Sequence, residues 1–187
     1  MHNTATTSIH VVSKDVLTGK GKGLVFYHGF GLTPWGLCFM VYCEHGICHL
    51  QFTDIPDETC LKALQKQFSA ASFISNNDHI QNQLNEIFSD RPNQTYSLYV
   101  QGTPFQVKVW QSLVEVAFGT LISYESLAKQ TGFPQAVRAV ASAVARNPVA
   151  YLIPCHRIIR KNGHIGQYRW GEDIKKALIA WEANKVS

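Results

Sequence analysis

Four residues, Gln101-Gly102-Thr103-Pro104, divide this chain into halves with different hydrophobic spacing. Threonine followed by proline is the signature of a helix start: the hydroxyl caps a free backbone N–H, and proline is tolerated at the first helical position. Beyond it Phe105, Val109, Leu113 and Val116 recur at helical spacing, so this helix buries a face; Trp110 reads as part of its core. Before it, Trp35–Tyr42 and Ile47–Phe52 are apolar segments flanking Glu44-His45-Gly46, which reads as a β-hairpin. Helices are expected from Pro56 and Asp57 to about Phe68 and from about Asp78 to Phe88, with a strand over Tyr96–Val100. The pattern is α+β, with strands concentrated in residues 24–101 and helices in 102–187. Residues 1–23 are polar and glycine-rich toward their end and read as a flexible arm.

Charge follows the same division. Residues 1–100 carry 6 basic and 8 acidic side chains, a balance of −2, whereas residues 101–187 carry 11 and 5, a balance of +6. One basic half suggests contact with a polyanion. No apolar run approaches the ~18 residues of a membrane span, and Met1–Ser8 lack a signal pattern, so the cytoplasm is the expected compartment. Five cysteines, an odd number, fit free thiols better than a disulfide framework. Cys43, His45, Cys48 and His49 raise a metal site, but alternation along a hairpin would split them between two faces, and no complete ligand set is apparent.

Within the basic half, a short helix from Tyr124 to about Gln130, a turn at Thr131-Gly132-Phe133-Pro134 and a helix reaching about Arg146 make a helix-turn-helix pattern. The second helix carries Val137, Val140, Ala141 and Val144 on one stripe, with Arg138, Ser142 and Arg146 four apart on the other side. Small residues such as Ala136 and Ala139 leave it slim enough to approach a groove. Then comes Asn147-Pro148, an apolar run, and Pro154-Cys155-His156-Arg157. A thiol attacks as thiolate and needs a base or a positive charge beside it; His156 and Arg157 could supply either. On spacing alone, a reactive Cys155 and an inert core cysteine remain equally open.

The Pro-Cys-His-Arg tetrapeptide, together with Asn147-Pro148, Arg138, Tyr124, Gly166-Gln167-Tyr168 and Glu182, closely resembles the active-site segment of the O6-alkylguanine-DNA alkyltransferases. The likeness runs from about Gly102 to Glu182 and is nearest to the alkyltransferase half of the bacterial Ada proteins. It implies a small ribonuclease-H-like amino-terminal domain with an antiparallel sheet and a winged helix-turn-helix-like carboxyl-terminal domain. It further implies that Cys155 takes an alkyl group, once and irreversibly, from O6 of guanine, and from O4 of thymine, in double-stranded DNA. Under the resemblance His156 draws the thiol proton through a water, Glu182 orients His156, and Asn147 joins the recognition helix to an active-site strand. Tyr124 helps turn the damaged nucleotide out of the duplex; Arg138 enters the space it leaves, from the minor groove, flanked by Ser142, Arg146, Ala136 and Ala139. Tyr168, Arg169, Ile158, Val144 and Trp170 form the base pocket, with Trp170 narrowing it. No cofactor or metal is called for, and a monomer is expected. Two rivals are a DNA-binding module without chemistry and a cysteine hydrolase, in which the histidine ordinarily lies far from the cysteine in sequence.

Overall fold

The computed structural model describes residues 6–56, 58–89 and 95–186. They fall into two compact units: residues 8–89 with 95–101, and residues 102–186 with 6–7.

The first unit is built on a six-stranded sheet of order β1-β6-β4-β3-β2-β5. Its strands are β1 (Thr6–Val11), β2 (Val25–Thr33), β3 (Gly36–Cys43), β4 (Gly46–Thr53), β5 (Ser72–Ser75) and β6 (Thr95–Val100). The hairpin expected from the apolar alternation is β3–β4, turning through Gly46 at φ 135°. A Cβ there would lie 2.3 Å from the carbonyl oxygen of Ser97 on β6, so only glycine lets β4 and β6 run side by side. The sheet is mixed, in place of the antiparallel one expected. β2, β3 and β4 are antiparallel neighbours, but β5 returns parallel to β2 and β6 parallel to β4. Each parallel return follows a helix, the connection that parallel pairing requires.

Those helices are α2 (Thr59–Gln67) and α3 (Asn77–Ile87). Leu61, Leu64 and Phe68 of the α2 region pack with Phe26, Phe39 and Val41 on one face of the sheet. Each such apolar side chain removed from water contributes about 2 kcal/mol. On the α3 side, Leu84 comes so close to β2 that a Cβ on Gly31 would meet its Cδ1 at 2.7 Å. Beyond His28, where β5 ends, β2 would expose an unpaired edge. There Asn77 Oδ1 accepts the Phe30 N–H (3.0 Å), Gln81 Oε1 accepts the Leu32 N–H (2.7 Å), and Gln81 Nε2 donates to Leu32 O (2.9 Å).

The flexible-arm reading of residues 1–23 is corrected for the described part. Thr6–Val11 is an edge strand beside β6, and Lys14–Thr18 is a short helix, α1, capped by Ser13. Val12 carries the chain into the core, its N–H donating to Val100 O at 3.0 Å. A solvent-facing edge strand needs few apolar residues, which is why its polar composition resembles a tail. Met1–Ala5 lie outside the described residues.

The second unit opens with α4 (Pro104–Val114). The expected threonine cap is present, and Gln106 makes it reciprocal: Gln106 N–H donates to Thr103 Oγ1 at 3.2 Å and Thr103 N–H to Gln106 Oε1 at 2.9 Å. Then come β7 (Ile122–Ser123), α5 (Tyr124–Gln130), α6 (Val137–Ala145), β8 (Ile158–Ile159) and α7 (Glu172–Val186). Trp110 is core, as expected, and its indole N–H donates to Ala143 O at 2.9 Å, tying α4 to α6. Among the described residues no helix is long and apolar enough to cross a membrane.

Candidate active site

α6 ends at Ala145 with Arg146 as its cap, and Asn147-Pro148 cannot continue it. The following residues were expected to form a strand; they instead make consecutive tight turns. Leu152 N–H donates to Ala150 O (2.7 Å), Ile153 N–H to Val149 O (3.1 Å) and Cys155 N–H to Ile153 O (2.7 Å). Tyr151 sits at φ 66°, the left-handed region, which costs a non-glycine residue about 1 kcal/mol or more. Asn147, 1% exposed, offsets that strain from inside the loop. Its Oδ1 accepts the Val149 N–H at 2.8 Å, and its Nδ2 donates to Ile153 O at 2.8 Å and to Cys155 Sγ at 3.1 Å. One amide therefore fixes the turn and touches the sulfur. Cys155 opens a single 3-10 turn, Cys155–Arg157, that feeds β8, and β8 pairs parallel with β7 just before Tyr124. This pairing brings Tyr124 and Cys155 to one cavity.

The cavity, about 510 Å³, is lined by Tyr124, Val144, Ala145, Cys155, Gln167, Tyr168, Arg169 and Glu172. It joins five of the residues expected at the site: Cys155, Tyr124, Val144, Tyr168 and Arg169. Ile158 and Trp170 are absent from the wall. Ile158 is buried, and Trp170 stands edge-on to Tyr168 at 5.1 Å and near the Arg169 guanidinium at 5.8 Å, backing the wall. Any effect of Trp170 on the width of the pocket would thus act through Tyr168 and Arg169. On α6, Arg138 and Ala139 are exposed, and Arg146 donates to Ser142 Oγ at 2.9 Å. These residues and Ala136 lie outside the cavity wall.

Behind Cys155 lies a buried charged cluster. Glu182 Oε1 meets His156 Nε2 at 2.8 Å, and Arg157 donates to the same carboxylate through Nε (3.2 and 3.0 Å) and Nη2 (2.9 Å). The Gly119 N–H donates to Oε2 at 2.9 Å. Burial alone would raise the Glu182 carboxyl, but the bonds and charges of His156 and Arg157 hold it down at about 2. Arg157 spends its remaining reach on Val116 O and the face of Phe118. It is therefore committed to Glu182 and is not the positive charge at the thiol.

Lys175 has that role. Its ammonium is buried and donates to the carbonyls of Ile158 and Ile165, each at 2.6 Å. Burial brings it down to about 8, against the attraction of Cys155 and Glu172. Sequence reasoning missed it because a helical lysine ordinarily reads as solvated. Its place on one stripe with Leu178 and Glu182 is the signal that was available.

Burial raises the Cys155 thiol above its ordinary range, opposed by the Asn147 bond, the Lys175 charge and hydrogen bonding from Tyr168. Burial also lowers His156, with Glu182 pulling the other way. The result is a neutral imidazole at neutral pH beside a protonated thiol. Its Nε2 faces Glu182, while its Nδ1 is buried and without a hydrogen-bond partner among the described residues. Tyr151 stacks on the ring, with centroids 5.8 Å apart and planes 10° apart. The arrangement suits proton removal from Cys155 followed by attack on an electrophile in the cavity.

Known proteins resemble the chain well beyond this half, and one family profile is confined to it. A family profile described as 6-O-methylguanine DNA methyltransferase, DNA binding domain, matches residues 104–184. The bifunctional transcriptional activator/DNA repair enzyme Ada of Escherichia coli is 36% identical over 167 residues, covering 87% of this chain and 47% of that protein. The chain thus spans about half the length of the Ada protein. The methylated-DNA–protein-cysteine methyltransferase of Methanosarcina barkeri is 34% identical over 164 residues, 86% of this chain and 99% of its own length. The inducible enzyme of that name from Bacillus subtilis is 35% identical, covering 71% and 76%. The crystal structure of the Mycobacterium tuberculosis O6-methylguanine methyltransferase superposes with a TM-score of 0.71 at 26% identity, covering 86% of this chain and 94% of that one. A structure of the same organism's protein in complex with DNA gives 0.69, also at 26% identity and the same coverage.

Proposed function

The chain belongs to the methylated-DNA–protein-cysteine methyltransferase family, and from that premise we propose that it repairs alkylated DNA directly, moving an alkyl group from O6 of guanine onto Cys155. The observation that carries the reading is the sulfur itself, facing a cavity of about 510 Å³, ample for a purine, and held by Asn147, with a neutral His156 backed by Glu182 behind it.

The steps follow from the groups present. An O6-alkylguanine inside a duplex is out of reach, so the nucleotide swings out, at a cost of a few kcal/mol that is smaller for a damaged pair. Tyr124 and Tyr168 flank the base. The Cys155 proton passes through a water to His156 Nδ1, and the imidazolium formed is stabilised by Glu182, whose second partner, Arg157, keeps it ionised. The thiolate displaces guanine from the alkyl carbon in one step. Burial raises the Tyr124 hydroxyl, and the Cys155 charge adds to this, so the phenol stays protonated and can donate to the departing ring. The thioether has no good leaving group, so each molecule acts once.

The finer expectations belong to the same proposal. α5 and α6 serve as a winged helix-turn-helix-like element, with Arg138 in the minor groove and Ser142, Arg146, Ala136 and Ala139 along its contact face. The first unit is ribonuclease-H-like and chiefly structural. O4-alkylthymine is a second substrate, and the protein works as a cytoplasmic monomer without cofactor. The test uses duplex oligonucleotides labelled in an O6-methyl group. Label should pass to the protein in at most one equivalent and not at all to the Cys155→Ser variant. Binding without transfer, or release of label with repeated turnover, would refute the reading.

A further inference from the structure

A second thiol pair lies in the first unit, outside the chemistry above. Cys43 ends β3 opposite Gly46, and the register on β4 passes from Ile47, opposite Tyr42, to His49, opposite Val41. Cys48 is therefore the extra residue of a β-bulge, and such a residue is unpaired in the ladder and re-aims its side chain. Its thiol reaches Cys43 Sγ at 3.7 Å and the Gly46 carbonyl oxygen at 3.5 Å. The expectation that alternation would separate these two cysteines fails at the bulge, and both pack with the cluster of Phe26, Phe39 and Val41. The Cys48 bond, the turn N–H groups of His45 and Gly46 and the His45 charge, against burial, bring the Cys43 thiol down to about 7. Cys48 is driven up by the same bond. A sulfur inclined to be thiolate thus touches one that keeps its proton, the division of labour between an attacking and a resolving thiol.

We propose that Cys43 and Cys48 are a reversible oxidation site that closes to an intrachain disulfide across the hairpin turn when it meets a hydroperoxide. The Cys43 thiolate attacks one oxygen of hydrogen peroxide; the O–O bond breaks, and hydroxide leaves and takes up a proton as water. Cys43 is then a sulfenic acid. The Cys48 sulfur attacks it, the S–O bond breaks, and the hydroxyl departs with the Cys48 proton as a second water. Two thiols lose two electrons, and one peroxide becomes two waters. The sulfurs must close to ~2.05 Å, which side-chain rotation can accommodate because Cys48 stands outside the paired register. Cys38 is no competitor, since burial pushes its thiol up to about 12. Among the described residues no group of three or more His, Cys, Asp or Glu could hold a metal here.

The full chain, both unaltered and as Cys155→Ser, is treated with one equivalent of hydrogen peroxide near neutral pH. It is then quenched with N-ethylmaleimide in denaturant and mapped by peptide mass without reduction. The expected product is a Cys43–Cys48 cross-link, lighter by two hydrogens and free of maleimide, from which dithiothreitol restores two reactive thiols. In Cys48→Ser, dimedone should trap the sulfenic acid on Cys43. Maleimide on both cysteines after peroxide, a cross-link to Cys38 or Cys60 instead, or no dimedone adduct on Cys43 in that variant would each overturn the proposal.

Discussion

Replacing Glu182 by glutamine keeps the shape of the side chain and removes its charge, so it isolates what the buried carboxylate does. A carboxyl held at about 2 against its ordinary 4.5 stabilises the folded unit by roughly 3 kcal/mol at neutral pH, at ~1.4 kcal/mol per pH unit. The variant also leaves the Arg157 guanidinium buried without its counterion, a loss of about 3–5 kcal/mol when one partner of such a pair is removed. The two figures describe the same interaction from either side, so they are not summed. The folded pKa is depressed, so the stabilisation is complete above about pH 5 and is lost as pH falls toward 2. His156, lowered by burial, adds a second acid sensitivity below its ordinary 6.5, because the unfolded chain takes up that proton first. Urea unfolding followed by tryptophan fluorescence between pH 7 and pH 2.5 checks the argument. Glu182→Gln should be less stable by about 3–5 kcal/mol at pH 7, and the gap should close progressively in acid. A difference below about 1 kcal/mol at pH 7, or one that does not change with pH, would refute the reasoning.

Three further outcomes are expected. In the unaltered chain, alkyl transfer should be nearly flat from pH 7 to 8.5 and fall below pH 6.5 as His156 becomes protonated. In His156→Ala it should drop by about 10²–10⁴-fold at neutral pH and climb steadily past pH 9, where the thiol ionises unaided; a flat profile in that variant would contradict the base assignment. Asn147→Ala removes three bonds from a buried loop, so it should cost about 2–3 kcal/mol and raise the pH midpoint of Cys155 alkylation by iodoacetamide; an unmoved midpoint would separate Asn147 from the sulfur. Arg138→Ala should leave stability within about 0.5 kcal/mol while weakening duplex binding, and fluorescence anisotropy at several salt concentrations would count against the α6 interface if affinity were unchanged.

The second unit was the more legible half because its local signals agree with its fold. The Thr103-Pro104 helix start, the apolar stripes of α4 and α6, and the helix stop at Asn147-Pro148 each read directly from residue type and spacing. The first unit was harder. Gly29 and Gly31 break the pattern of β2, yet they are what allow Asn77 and Leu84 of α3 to approach it. β1 is an edge strand of polar composition. At the site, Cys155 and its neighbours stood out as a motif, but Glu182 rested on family resemblance, Lys175 showed only as one position on a stripe with Leu178 and Glu182, and the commitment of Arg157 to Glu182 was invisible. Buried charges have no hydrophobic period. They make sense only when their partners, contributed by distant turns at Gly119 and Ile165, are in place.

The central claim is that one sulfur accepts one alkyl group for good. Incubating the chain with excess duplex carrying O6-methylguanine, then measuring intact and peptide masses, tests it most directly. The account predicts a single added methylene mass, confined to the peptide containing Cys155, that neither grows with time nor disappears on dilution. Methyl on another residue, or repaired DNA in excess of protein with Cys155 left unmodified, would contradict it.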